Sequence, residues 1–155
     1  MIDLNSKDIL FVSDVHYGLK NPKGNEKFIK FISEFHDYDV LVMLGDIFDF
    51  LYDPVENKYG LNRPIMDILS KIEKRKFFIP GNHDFWGTET IIHAGFEYYP
   101  WGLGLLLNNK KYFIHHGDGF NPWDIGYIAL KGITHRKTLL EVVKRILPPS
   151  FAPPP

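Results

Sequence analysis

The spacing of hydrophobic positions changes character along the chain. Ile9, Leu10, Phe11 and Val12 run without a break inside Asp8–Ser13, and Val40, Leu41, Val42, Met43 and Leu44 do the same inside Asp39–Leu44. Short apolar runs without alternation predict strands buried on both faces. Between them Phe28, Phe31, Ile32 and Phe35 fall at i, i+3, i+4 and i+7, which predicts a helix over 25–35. Pro64 suits the first turn of a second helix reaching about Lys74, with Ile65, Leu69 and Ile72 inward. Phe77–Ile79 reads as a third strand, ended by Pro80-Gly81. Strand, helix, strand, helix, strand predicts a parallel sheet covered on both faces. Leu103–Leu107 and Lys111–Ile114 flank the turn-prone pair Asn108-Asn109 and predict an antiparallel hairpin joined to the same sheet. The predicted fold class is therefore α/β, with a layered, mixed parallel and antiparallel sheet flanked by helices.

After Asp118 the pattern turns helical. Ile125, Ile128 and Leu130 precede a break at Gly132, and Leu139, Leu140, Val143, Ile146 and Leu147 form a second amphipathic stripe. Five of the last eight residues are proline, which cannot continue a helix. The 155 residues suit one domain. The expected organisation is a core over 1–120, a helical segment over 121–147 and a Pro-rich end over 148–155.

Composition narrows the chemistry. Cysteine is absent, which excludes a disulfide framework, a thiolate metal site and a cysteine nucleophile. No apolar run reaches the roughly 18 residues that argue for a membrane-spanning helix, and the N-terminus lacks a signal-peptide pattern. A cytoplasmic protein is expected. The net charge of −1 hides an asymmetry: residues 1–120 carry 13 basic and 17 acidic side chains, whereas 121–155 carry 5 basic and 2 acidic ones. The basic segment (Lys131, Arg136, Lys137, Lys144, Arg145) reads either as a solvated helix face or as a surface for an anionic substrate or membrane.

Four short segments concentrate polar chemistry: Ser13-Asp14-Val15-His16, Gly45-Asp46-Ile47-Phe48-Asp49, Gly81-Asn82-His83-Asp84 and His115-His116-Gly117-Asp118. Three follow an apolar strand, and in open α/β sheets the carboxyl ends of the strands form the ligand crevice. Asp14, Asp46, Asn82 and His116 are expected to converge there. In extended backbone Asp14 and His16, two apart, would point to the same side. Carboxylate, imidazole and amide oxygen suit divalent cations, and clustered acids without a cation would be costly.

These blocks, in this order, resemble the calcineurin-like metallophosphoesterases, whose pattern runs D-x-H, G-D-x-x-D, G-N-H-D, H-G and finally G-H-x-H. Gly81-Asn82-His83-Asp84-Phe85-Trp86-Gly87, with His116-Gly117-Asp118-Gly119 and Asp124-Ile125-Gly126-Tyr127, is similar to the branch containing the UDP-2,3-diacylglucosamine pyrophosphatases. That branch places a helical, basic lid where 121–147 lies here. It usually carries arginine in place of His83.

The resemblance implies two divalent metal ions, with Mn²⁺ the default and Zn²⁺ or Fe²⁺ as alternatives. Asp14 and His16 would hold the first, Asp46 would bridge, and Asn82 and His116 would hold the second. His83 would stand near the leaving group with Asp84 orienting its ring, and Asp49 and Asp118 would support the ligands. Trp86, Trp123 and Tyr127, with Lys131 and Arg136, are candidate substrate contacts; core packing is the alternative for the aromatics.

The implied activity is hydrolysis of a phosphoester or pyrophosphate bond in a phosphorylated small molecule, such as a nucleotide-linked acyl sugar. A broad-specificity phosphodiesterase and a metal-binding scaffold without turnover are the alternatives. No nucleic-acid partner is expected. A peripheral contact with the inner face of a membrane would follow from the basic segment. The G-H-x-H block has no match, so the chain reads as ending within the lid, and this form is expected to bind metal weakly and turn over poorly.

Overall fold

The computed structural model describes residues 1–18, 20–51 and 62–118. The predicted lid over 121–147, the Pro-rich end and the candidate contacts Trp123, Tyr127, Lys131 and Arg136 lie outside the described residues. The elements in chain order are β1 (Ile2–Asp3), β2 (Ile9–Val12), α1 (Pro22–Glu34), β3 (Val40–Leu44), α2 (Arg63–Ser70), β4 (Arg75–Ile79), α3 (Thr88–His93), β5 (Glu97–Tyr98), β6 (Leu103–Leu107) and β7 (Lys110–Ile114). The α/β class predicted from the hydrophobic pattern is what the chain adopts. Among the described residues no helix is long and apolar enough to cross a membrane.

The described strands form two sheets, one ordered β2-β3-β4-β5 and the other β1-β6-β7. In the first, every pairing is parallel, and Val40 to Leu44 of β3 stand opposite Arg75 to Ile79 of β4 in unbroken register. In the second, β6 pairs parallel with β1 and antiparallel with β7. The hairpin was expected to extend the parallel sheet, but it lies across that sheet's face. Leu103 and Leu105 of β6 are buried against Val40, Val42, Phe77 and Ile79. A hairpin with one apolar face buries it by stacking on a sheet, not by lengthening one.

This arrangement explains the unbroken apolar runs. Leu41, Met43 and Phe78 point to the helical layer, where they meet Phe28 and Ile32 of α1 and Ile65, Met66 and Leu69 of α2. Their alternating neighbours point to the second sheet. α1 starts at Pro22, earlier than the periodicity predicts, because Asn21 caps it by accepting from the Gly24 N–H (3.0 Å). Asn108 and Asn109 both adopt positive φ (49° and 61°), the conformation a two-residue hairpin loop requires.

Lys76 of β4 is buried, and its ammonium donates to the carbonyls of Leu69 (2.8 Å) and Ala94 (2.7 Å). These lie in the last turn of α2 and at the C-terminal cap of α3, where helix carbonyls lack partners. One side chain thus ties two helix ends to the sheet.

Candidate metal centre

The loops leaving β2, β3 and β4 are laced together by backbone hydrogen bonds. Asp14 N donates to Gly45 O (3.1 Å), His16 N to Asp46 O (3.0 Å), and Leu51 N to His83 O (3.3 Å). Asp14, His16 and Asp46 all have positive φ, at 54°, 50° and 52°. The strand-alternation argument for Asp14 and His16 therefore fails: the backbone between them is not extended, and left-handed turns aim them instead. Such conformations cost of order 1–3 kcal/mol each for residues with a side chain and are held only by surrounding structure.

Two glycines permit the close approach. Gly45 has φ 72°, and a Cβ there would strike the His116 ring. A Cβ on Gly81 would collide with Asp46 Oδ1 and lie 2.6 Å from Asp46 N. The glycines that open two of the motif blocks thus make room for ligand side chains of other blocks.

Among the described residues two groups of donor atoms lie within mutual reach: Asp14, Asp46 and His116, and His16, Asp46 and His83, with the atoms of each group within 4.8 Å of one another. Asp46 belongs to both. His116 Nε2 is 3.5 Å and His16 Nε2 is 3.9 Å from Asp46 Oδ2, and His16 Nδ1 is 3.6 Å from Asp49 Oδ1. Two rings are fixed through their other nitrogen: His116 Nδ1–H donates to Leu44 O (3.0 Å) and His83 Nδ1–H to Asp49 O (2.8 Å). That leaves Nε2 of each as the available lone pair, the arrangement typical of a metal-bound imidazole. His16 and His83 meet edge to face, with ring centroids 5.0 Å apart.

Asn82 stands exposed in the same turn, between Gly81, packed on Asp46, and His83, whose N–H donates to Asp46 Oδ1 (3.1 Å).

Asp84 has a different place from the one expected. It is fully buried, and its carboxylate accepts from Gly81 N (2.8 Å) and Ile47 N (2.8 Å). It staples the β3 and β4 loops and does not orient the His83 ring, a task that falls to the Asp49 carbonyl. Burial pushes the Asp84 carboxyl up to about 6, against opposing backbone hydrogen bonds. Burial also acts to raise Asp46, but hydrogen bonds from His116 and the His83 N–H hold it below the ordinary carboxylate value. The Asp46 hydrogen bond lifts His116 to about 9.

The donor set fits divalent ions. It offers carboxylates and imidazoles, no thiolate, and one carboxylate common to two groups, as a bridged pair requires. Asp118 lies beside His116 and, with it, lines a cavity of about 150 Å³ whose wall also includes Gly81, Phe85, Pro100, Trp101 and His115. Trp86 packs edge-on against Phe85 (5.0 Å) and Phe50 (5.5 Å) in an aromatic row beside that cavity. Trp101 carries no motif signal beyond the Pro100-Trp101-Gly102 turn, and His115, expected to serve a structural role beside His116, also lines this cavity.

The sequence model of the calcineurin-like phosphoesterases matches residues 7–149. The chain belongs to the calcineurin-like phosphoesterase family. Among curated proteins it is similar to the UDP-2,3-diacylglucosamine hydrolase of Neisseria meningitidis (31% identity, over 86% of this chain and 58% of that protein). It is likewise similar to those of Aeromonas salmonicida (28%, 84% and 53%) and Escherichia coli (29%, 84% and 56%). The chain thus spans about half the length of the curated relatives it matches. A crystal structure of an Aquifex aeolicus protein of unknown function shares the fold, with a TM-score of 0.52 at 20% identity, over 86% of this chain and 73% of that one.

Proposed function

We propose that this protein, with two divalent ions bound at the strand ends, hydrolyses a phosphoester or pyrophosphate bond in a nucleotide-linked small molecule. The observation that carries the reading is the pair of three-residue donor groups meeting at Asp46. The motif implies Asp14 and His16 on one ion and Asn82 and His116 on the other, with Asp46 bridging; the donor groups instead set Asp14 beside His116 and His16 beside His83, so that Asp14, Asp46 and His116 would hold one ion and His16 and Asp46 the other, with Asn82 adding an amide oxygen from its turn. Mn²⁺ is the default, and Zn²⁺ or Fe²⁺ suits the imidazoles as well. When bound, such ions stabilise charge on phosphoryl oxygens and make a water acidic enough to ionise near neutral pH.

The remaining chemistry belongs to the chain. His83, its Nδ1–H anchored on Asp49 O, keeps Nε2 for the substrate and, when protonated, donates to the leaving oxygen. Asp84 keeps the Gly81 and Ile47 loops in register, so that Asp46 and His83 hold their spacing. The named substrate of the curated relatives, a UDP-linked diacyl sugar, makes a nucleotide-linked acyl sugar the first substrate to try. His83, where that branch usually carries arginine, favours a broader phosphodiesterase as the second. Action in the cytoplasm, against the inner face of a membrane, would follow from the first.

The test is Mn²⁺-dependent cleavage of bis-p-nitrophenyl phosphate by the parent and by His83→Ala. A fall of about 10²-fold or more in the variant is expected. Equal rates would remove His83 from the chemistry.

A further inference from the structure

We propose that the cavity lined by Trp101, Phe85, Pro100, His115 and Asp118 is the seat of a nucleobase, with Trp101 as its stacking platform. The proposal rests on the phosphoester reading of the adjoining centre and adds where the organic part of the substrate is recognised. The cavity shares Gly81 and His116 with that centre. An occupant therefore adjoins the centre where the phosphate would be cleaved, close enough for a ribose to span from a seated base to that phosphate.

The size and lining select the occupant. About 150 Å³ is well under the roughly 300–1,000 Å³ of pockets that bury drug-sized ligands, so it suits a single planar base better than a whole acyl chain. Its walls combine flat apolar surface with two hydrogen-bonding side chains, His115 and Asp118. A heterocycle with a π-face and a polar edge matches a wall that is part flat and apolar and part polar, whereas a methylene chain matches only its apolar part.

Trp101 is 78% exposed, so its indole face is open to a ligand. Its backbone is nonetheless fixed. Pro100 restricts the turn, Gly102 N donates to Tyr99 O (3.4 Å), and Gly102 has φ 110°. A Cβ on Gly102 would lie 2.6 Å from both Ile114 O and the Phe113 ring, so the turn is seated directly on the end of β7, next to His115. An exposed aromatic carried on a fixed turn beside a small cavity is placed for stacking.

The experiment titrates the 155-residue chain with UMP, AMP and ribose 5-phosphate by calorimetry in the presence of Mn²⁺, using the parent, Trp101→Ala and Trp101→Phe. The nucleotides are expected to bind at least about 5-fold tighter than ribose 5-phosphate, the lower end of what one base–aromatic stack contributes. Trp101→Ala should erase that margin without changing ribose 5-phosphate binding, and Trp101→Phe should keep most of it. Equal binding of nucleotide and ribose 5-phosphate by the parent, no nucleotide binding, or a margin that survives Trp101→Ala would each overturn the proposal. A margin that depends on Trp101 in a protein that cleaves no phosphoester would uphold the base site and overturn only the reaction assigned to its neighbour.

Discussion

Replacing Asp84 with asparagine isolates the energetic role of a buried carboxylate. Burial raises this carboxyl from 3.8 to about 6 in the folded chain. Below 3.8 it is protonated in folded and unfolded chains alike; above about 6 it is ionised in both. Between those values the folded chain keeps a proton that the unfolded chain has released, so stability falls as pH rises through the window. The interval is about two pH units, which corresponds to roughly 3 kcal/mol.

Asp84→Asn has no proton to lose and should lack this decline. Its amide also turns an NH₂ toward either Gly81 N–H or Ile47 N–H, both of which now donate to a carboxylate oxygen at 2.8 Å. That mismatch costs about 1–3 kcal/mol without depending on pH, so the slope and not the offset carries the test. Urea unfolding of the metal-free parent and variant, followed from about pH 4 to about pH 7, measures both. The variant should gain on the parent by up to about 3 kcal/mol as pH rises. Parallel curves would refute the claim that burial governs this group.

Two further outcomes follow from close contacts. Gly81→Ala puts a Cβ onto Asp46 Oδ1, so Mn²⁺ affinity measured by calorimetry should fall by about 10-fold or more; an unchanged affinity would show that Asp46 is not confined by that strand end. Burial holds the Lys76 ammonium below its ordinary value of 10.5, so the folded chain binds fewer protons than the unfolded one just below that value. Stability of the parent should therefore rise as pH climbs toward 10.5, and melting temperatures of Lys76→Met should lack that rise.

The parts of the fold most legible in the sequence were those buried on two sides. β3 and β4 gave continuous apolar runs because one set of their side chains meets helices and the other meets a sheet. The hairpin was legible as a hairpin but not as a separate layer, since alternation looks the same whether a strand extends a sheet or lies upon it. β1 and β5, at two residues each, and α3, at six, are too short to show a period. At the site, of the four residues expected to converge, Asp14, Asp46 and His116 lie within mutual reach, and Asn82 stands exposed in the adjoining turn. The motif blocks did not foretell how they are brought together. Adjacency suggested that Asp84 serves His83, but the apolar surroundings of Asp84 turn it toward backbone N–H groups, and no local pattern encodes that burial.

The left-handed backbone at positions 14, 16 and 46 sets folding against binding. Glycine would adopt these angles without strain and would loosen the chain's tension where the donors stand. Laboratory evolution of this scaffold for heat resistance alone would reward such replacements and drift toward a sturdier molecule with an emptied centre; only a screen that also demands bound cations would keep the aspartates and the histidine in place.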